Sequence, residues 1–124
     1  MAGGSHPCPV SGRLYSLCGC RVISGETPCD KVFENERVLA FRDISPQAPV
    51  HILIIPKKPI ANIGDVKAED QDVLGEMMIT AQQIAKQEGL ESFRLVTNTG
   101  HGAGQEVFHL HFHLLGGRRL GSLG

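Results

Sequence analysis

The alternation of apolar and polar residues divides the middle of the chain into short strands around two turns. Residues 31–43 (KVFENERVLAFRD) hold two apolar runs on either side of Glu-Asn-Glu, which predicts a β-hairpin. Residues 50–56 (VHILIIP) are rich in β-branched side chains and predict a central strand that ends at Pro56. Residues 44–49 (ISPQAP) contain two prolines and predict a loop between the hairpin and this strand, because proline lacks a backbone N–H.

The second half of the chain begins with a helical pattern and returns to strands. Apolar residues recur every three or four positions in residues 69–88, which predicts an amphipathic helix, with Met77 and Met78 in the core and Gly89 at its end. Strands are then predicted at residues 93–98 (FRLVTN) and 106–115 (EVFHLHFHLL), joined by a glycine-rich turn. This order predicts an α+β domain with a largely antiparallel sheet.

Length, composition and charge narrow the class of protein. A chain of 124 residues with 41% hydrophobic residues is expected to form one domain, and we assign residues 17–124 to it and residues 1–16 to a loose tail. A net charge of −1 gives no electrostatic basis for binding nucleic acid or a membrane surface. Neither a membrane-spanning run nor an export signal is recognisable, so we expect a cytoplasmic protein.

The four cysteines lie in the first quarter of the chain, at Cys8, Cys18, Cys20 and Cys29. Cys18-Gly-Cys20 lacks the two-residue spacer that is usual in zinc knuckles. We therefore expect reduced thiols without a function, with a metal or redox role as the alternative.

Three of the six histidines occupy alternate positions near the C-terminus, at His109, His111 and His113. Because side chains of a strand alternate between its faces, the three imidazoles are expected on one face of the last strand. The other face is expected to pack beneath the helix through Phe108, Leu110, Phe112 and Leu114.

Three interpretations of this histidine-bearing face follow from its chemistry. It could be an ordinary solvated face of a half-buried strand. It could hold zinc, with Asp43 or His51 as further ligands. It could also carry out acyl or phosphoryl transfer, because an imidazole is largely unprotonated and nucleophilic near neutral pH.

The glycine-rich turn directly before these histidines favours the third interpretation. In residues 98–105 (NTGHGAGQ), small residues allow backbone N–H groups to approach an anion closely. No Lys-Ser or Lys-Thr follows the glycines, so the turn is not a P-loop. His101 lies in this turn and is expected on its surface.

The segment from His109 to Leu115 (HLHFHLL) resembles the signature of the histidine triad family, and residues 40–60 and 104–118 resemble its nucleoside-phosphoramidase branch, usually called Hint. The resemblance spans residues 17–118. It implies a five-stranded sheet with one long helix and a short N-terminal helix, and a homodimer with a continuous sheet. It also implies hydrolysis of purine nucleoside 5′-phosphoramidates or aminoacyl adenylates to the nucleoside monophosphate and amine, without metal or other cofactor, through a covalent nucleotidyl-histidine.

The same resemblance implies roles for individual residues. His111 would be the nucleophile, His113 would bind phosphate oxygens and assist the leaving amine, His51 would lie beside them, and His109 would orient the nucleophile. The nucleotide would be bound by the ribose ligand Asp43, by apolar walls at Phe41, Ile44 and Leu53, and by a phosphate cradle of Asn98, Gly104, Gln105, Glu106 and Val107, the last three through backbone groups.

Several alternatives stay open at the level of sequence. His51 could be a hydrogen-bonded core residue, and Asp43 could cap the turn that follows it. Leu17 and Pro59 stand where many relatives have zinc ligands, which argues against a structural zinc. Rival functions are dinucleoside polyphosphate hydrolysis and purine-nucleotide binding with little turnover, and the C-terminal RRLGSLG leaves the specificity for the amine undetermined.

Overall fold

The computed structural model describes residues 29–123 as a five-stranded antiparallel sheet with one long helix across one face. The strands are β1 (Lys31–Glu34), β2 (Val38–Arg42), β3 (Val50–Pro56), β4 (Phe93–Val96) and β5 (Phe112–Gly116), in the spatial order β1-β2-β3-β5-β4. The predicted α+β fold is confirmed. The predicted N-terminal helix, the tail at residues 1–16, and Cys8, Cys18 and Cys20 lie outside the described residues.

The hairpin predicted at residues 31–43 is formed by β1 and β2. Its turn is held by Asn35, whose side-chain oxygen accepts hydrogen bonds from the backbone N–H groups of Arg37 and Val38, both at 2.8 Å. Asparagine suits this position because its short side chain bonds to the backbone two and three residues on. β2 then pairs with β3, which spans the predicted residues 50–56.

The helix α1 (Gln71–Gln87) follows a short 3₁₀ turn at Ala68–Asp70, and Gly89 ends it with φ +73°. The predicted helix is therefore confirmed, but the position of one methionine is wrong. Met77 is fully buried, whereas Met78 is 54% exposed, since adjacent helical residues point about 100° apart. No helix within residues 29–123 is long and apolar enough to cross a membrane.

The main core lies between α1 and one face of the sheet. Every second residue of β3 and β5 contributes to it, and its central members include Ile52, Ile54, Met77 and Leu114. A second, smaller buried cluster lies on the opposite face and comprises Leu39, Phe41, Leu53 and Ile55. Both faces of the central strands are therefore buried over part of their length.

The last strand is shorter than its apolar alternation predicts, because β5 begins only at Phe112. Its ladder with β3 ends at the pair Ile54–Phe112, two residues before Pro56, which has no N–H to continue it. The prediction of a strand through residues 106–115 is therefore confirmed for residues 112–115 and wrong for residues 106–111, and only His113 of the three histidines lies in a strand. Phe108 is wrongly predicted under the helix as well, since its ring instead contacts that of His101 at a centroid distance of 5.0 Å.

Candidate active site

Two histidines from adjacent strands meet on the sheet face opposite α1. In the β3–β5 register, Leu53 pairs with His113 and His51 pairs with Leu115, so the two histidines are diagonal neighbours on one face. Their imidazoles are joined by a hydrogen bond of 2.9 Å between His51 Nε2 and His113 Nδ1. The sheet therefore brings together two side chains that are 62 residues apart in sequence.

The hydrogen-bond partners of His51 determine which of its nitrogens carries the proton. The backbone N–H of Gln47 donates to His51 Nδ1 at 3.0 Å, so Nδ1 must be the unprotonated nitrogen. His51 Nε2 therefore carries the proton and donates it to His113 Nδ1. The carboxylate of Asp43 lies 3.4 Å from the same Nε2 and favours this arrangement.

His113 receives this bond at Nδ1, and its remaining proton therefore lies on Nε2. Burial is the main cause that lowers its pKa to about 4, and the neighbouring His111 and His51 lower it further. Burial also lowers the pKa of His51, against the opposing effect of the Asp43 carboxylate. Both imidazoles are therefore neutral near pH 7. The hydrogen bond from the N–H of Gln47 determines that His51 donates to His113 and not the reverse.

His111 has the opposite arrangement of its proton. Its Nδ1 lies 2.8 Å from the carbonyl oxygen of His109, which can only accept, so Nδ1 carries the proton and Nε2 carries the lone pair. His111 Nε2 makes no hydrogen bond with the rest of residues 29–123. Burial lowers the pKa of this imidazole despite the bond to His109 and the charge of Asp43, so the lone pair is available near neutral pH.

His109 is the buried anchor of this segment. Its Nε2 donates to the carbonyl oxygen of Pro56 at 2.8 Å, and the backbone N–H of Leu110 donates to Ile60 at 2.6 Å. These two bonds hold the segment before Phe112 in place, where the ladder between β3 and β5 has ended. They hold the carbonyl of His109 in place to accept the proton of His111, whose ring lies edge-on to His113 at 4.9 Å.

Gln105 organises the glycine-rich turn through its buried side chain. Its Oε1 accepts from Gly100 N at 2.8 Å and from Asn62 Nδ2 at 3.2 Å, while its Nε2 donates to the carbonyls of Ala61 and Val107. Its backbone N–H donates to Gly100 O at 3.0 Å. That N–H is therefore engaged within the turn, which corrects the expectation that it faces a phosphate.

The other residues expected to cradle the phosphate flank this turn. Gly104 ends the 3₁₀ turn His101–Ala103 with φ +100°, a conformation that favours glycine. The backbone N–H of Val107 makes no hydrogen bond within the part of the chain that the structure describes, so it is available to an anion. Asn98 is half-buried, and Glu106 is exposed.

The residues expected around the ribose and base lie on β2, β3 and the loop between them. Asp43 caps this loop, as the alternative interpretation holds, because its Oδ1 accepts from Ser45 N at 2.8 Å. Its other oxygen faces His51. Ile44 is 53% exposed and offers apolar surface to a ligand, whereas Phe41 and Leu53 are each only 2% exposed.

Asp43, His51 and His113 also form a set of atoms that could hold a metal ion, with one ligand atom from each within 4.8 Å of the others. A metal ligand must offer a lone pair, however, and both nitrogens of His51 are already engaged. Nδ1 accepts from Gln47, and Nε2 carries the proton given to His113. The set therefore fits a proton relay better than a metal centre.

Sequence reasoning missed Gln47, whose backbone takes part in the site. The signal was present in the loop, because Pro46 and Pro49 have no N–H and only a few donors remain to turn back onto His51.

Comparison with known proteins places nearly all of the described region in one family. Residues 24–120 match the HIT domain. The chain is 51% identical to the purine nucleoside phosphoramidase of Escherichia coli strain K12 over 105 residues, 83% of this chain and 88% of the relative. It is 52% identical to the adenylylsulfatase HINT1 of Arabidopsis thaliana over 103 residues, 81% and 70% of the two chains.

A solved structure shares both fold and sequence. The HIT family hydrolase from Legionella pneumophila Philadelphia 1 superposes with a TM-score of 0.79 and 53% sequence identity, covering 81% of this chain and 91% of the other. The protein thus belongs to the HIT domain family.

Proposed function

We propose that this protein is a hydrolase that cleaves the P–N bond of purine nucleoside 5′-phosphoramidates without a metal. The observation that carries the proposal is the pairing of two differently protonated imidazoles, the unprotonated Nε2 of His111 beside a His113 whose Nε2 bears a proton. One is a nucleophile and the other a proton donor. The similarity to the E. coli purine nucleoside phosphoramidase supports the choice of substrate.

The reaction would proceed in two displacements at phosphorus. His111 Nε2 attacks, the P–N bond breaks, and a nucleotidyl-histidine forms. The bound anionic phosphate favours the charged form of the His51–His113 pair, so the pair first takes a proton from solvent. His113 Nε2 then donates a proton to the leaving amine. Water then attacks phosphorus and gives a proton to the His51–His113 pair. The pair returns that proton to solvent as the nucleoside monophosphate leaves, which restores the neutral free enzyme.

Other residues of the site would bind the nucleotide. The N–H of Val107 suits a phosphate oxygen, and the exposed side chain of Ile44 suits a face of the base. The Asp43 carboxylate would accept from the ribose hydroxyls in addition to its bond from Ser45. Asn98 and Gly104 would complete the phosphate cradle beside the ordered turn.

The deciding experiment measures release of amine and AMP from adenosine 5′-phosphoramidate in excess chelator, for the wild type and His111→Ala. We expect turnover that is insensitive to chelator and is lost in the variant, which still binds AMP. Loss of wild-type turnover with chelator would instead favour a metal centre. Faster cleavage of diadenosine polyphosphate would favour the rival hydrolase, and AMP binding without turnover would favour a binding module.

We further propose that the protein forms a homodimer through β4 and the adjoining side of α1. β4 is an edge strand of the sheet, and Phe93 on it is 45% exposed. Met78, also exposed, lies on the side of α1 away from Glu76, which faces the β1–β2 turn through Asn35. Sedimentation velocity of the wild type and Met78→Glu tests this proposal, since a wild-type monomer at micromolar concentration would contradict it.

A further inference from the structure

Arg118 connects the end of β5 to the loop at residues 44–49. Its Nη2 donates to the carbonyl oxygen of Gln47 at 2.7 Å, and its Nη1 donates to the carbonyl oxygen of Arg119 at 2.8 Å. The guanidinium therefore holds its own chain segment and the loop together through two backbone acceptors. Its partner in the loop lies 71 residues away in sequence.

The backbone before Arg118 is built for this approach to the loop. Gly117 has φ +95°, and a Cβ added there would lie 2.9 Å from Pro49 Cβ. A side chain at this position would meet both backbone strain and a steric clash, so glycine allows the chain to pass close to Pro49. Arg118 is thereby delivered to the same loop that contains Gln47.

Gln47 is held from both of its backbone ends. Its carbonyl accepts from Arg118, and its N–H donates to His51 Nδ1 at 3.0 Å. Its side chain adds a bond to the carbonyl of Ser45 at 3.1 Å, which spans only two residues within the loop. Arg118 thus holds the carbonyl of Gln47 from outside the loop, as His51 holds its N–H.

A continuous series of hydrogen bonds results, and it runs from an exposed arginine to the reacting groups. Arg118 holds Gln47, the N–H of Gln47 keeps the proton of His51 on Nε2, and that proton is given to His113 Nδ1. His113 is then left with its proton on Nε2. If the N–H of Gln47 moved away, His51 could carry its proton on Nδ1 instead, and the direction of the last bond would reverse.

We propose that Arg118 is a positioning residue that maintains the protonation pattern of the His51–His113 pair by holding Gln47 in place. This inference rests on the proposed function for its effect on catalysis, while its effect on the histidine tautomer is independent of any substrate. Arg118 acts through Gln47 and not by binding the nucleotide. Its loss therefore lowers kcat while leaving KM nearly unchanged.

The test compares Arg118→Met with the matched control Arg119→Met. Methionine keeps an aliphatic stem but removes the guanidinium donors. The adjacent Arg119 is also exposed but contributes only its backbone carbonyl to the contact. Arg118→Lys keeps one donor for the carbonyl of Gln47.

The first readout is nitrogen-15 NMR of the imidazoles, with the signals of His51 identified by their loss in His51→Gln. We expect a protonated Nε2 and an unprotonated Nδ1 in the wild type and Arg119→Met. Arg118→Met is expected to show a mixture of both tautomers, and Arg118→Lys a return toward the wild-type pattern. An unchanged tautomer of His51 in Arg118→Met would overturn the proposal.

The second readout is steady-state hydrolysis of adenosine 5′-phosphoramidate by the same variants. We expect kcat to fall about ten-fold in Arg118→Met, a part of what a positioned proton donor contributes, with KM within about two-fold of the wild type. A changed tautomer with unchanged kcat would also overturn the catalytic role of Arg118. If the wild type itself does not hydrolyse the substrate, the proposed function fails, while the NMR comparison still decides whether Arg118 positions His51.

Discussion

The two faces of β3 and β5 have the same backbone and opposite chemistry. On the face toward α1, Ile52, Ile54 and Leu114 are completely buried in an apolar core. On the other face, His51 and His113 are joined by a hydrogen bond and are surrounded by groups that determine where each proton lies. The stability of the first face depends on the apolar area that is buried, whereas the arrangement of the second depends on the direction of its hydrogen bonds.

This difference shows how a core can position a reactive site. Because side chains alternate, slipping β5 by one residue against β3 would place histidines in the core and leucines at the site. The apolar face opposes such a slip, since burying a charged or unpaired imidazole costs free energy. The pairing of Leu53 with His113 is therefore maintained by the residues on the opposite side of the sheet.

The largest expected effect belongs to the face with the histidines. His113→Ala removes the proton donor, so we expect kcat for adenosine 5′-phosphoramidate to fall about 10²- to 10⁴-fold. The free energy of unfolding should fall by only about 1–2 kcal/mol, because the buried Nε2–H of His51 loses its acceptor while the apolar core is untouched. Single-turnover kinetics and urea unfolding of the same preparation measure the two quantities, and a large loss of stability would contradict the separation of the faces.

The adjacent residue on the other face should behave in the opposite way. Leu114→Ala deletes a fully buried side chain between the sheet and α1, which should lower the free energy of unfolding by about 2–5 kcal/mol. At a temperature where the variant is folded, kcat should remain within about two-fold of the wild type. A ten-fold loss of kcat in fully folded Leu114→Ala would show that core packing and site geometry are not separable.

A smaller effect is expected at Gly117, where both kinds of interaction meet. Gly117→Ala introduces a Cβ at φ +95° and close to Pro49, so we expect a loss of about 1–3 kcal/mol in the free energy of unfolding. Displacement of Arg118 should also shift the tautomer of His51. Thermal unfolding combined with nitrogen-15 NMR tests both, and a loss of stability with an unchanged tautomer would confine the role of Gly117 to the fold.

The dependence of stability on pH should also change. The pKa of His113 is lowered to about 4, below its ordinary value of 6.5, so the unfolded chain binds a proton more readily than the folded one. Its contribution is complete above pH 6.5 and is lost as the pH falls toward 4. The difference in Tm between pH 7 and pH 5 should therefore be smaller in His113→Gln than in the wild type, and an equal difference would contradict this.

The dependence of kcat/KM on pH should reflect the lowered pKa of His111. The pKa of His111 is also lowered by burial, so at a given acidic pH more of the nucleophile stays unprotonated than for an ordinary imidazole. We expect kcat/KM to rise as the pH falls from 8 to about 6.5, because the leaving amine takes a proton from solvent through His113, and to decline only at more acidic values where His111 becomes protonated. A decline that begins above pH 7 would indicate that a group other than His111 must be unprotonated.

Elements with strong local patterns could be predicted from the sequence, and those that depend on a neighbour could not. The hairpin turn at Asn35 and the end of α1 at Gly89 are local features of residue chemistry. The start of β5 is different, because it depends on the position of Pro56 in the neighbouring strand β3, where no N–H is present to continue the ladder. The exposure of Met78 depends likewise on which side of α1 the sheet covers.

The sequence by itself determined the elements, the two faces of the central strands and the presence of reactive imidazoles, because periodicity and residue type are properties of short segments. Only the tertiary structure decided which nitrogen of each imidazole carries the proton. That choice depends on Gln47 for His51 and on the carbonyl of His109 for His111. It extends to Arg118 and His113, whose partners lie 71 and 62 residues away. Hydrogen bonds depend on direction and on distances of about 3 Å, so they are settled only when the packed sheet brings distant segments together.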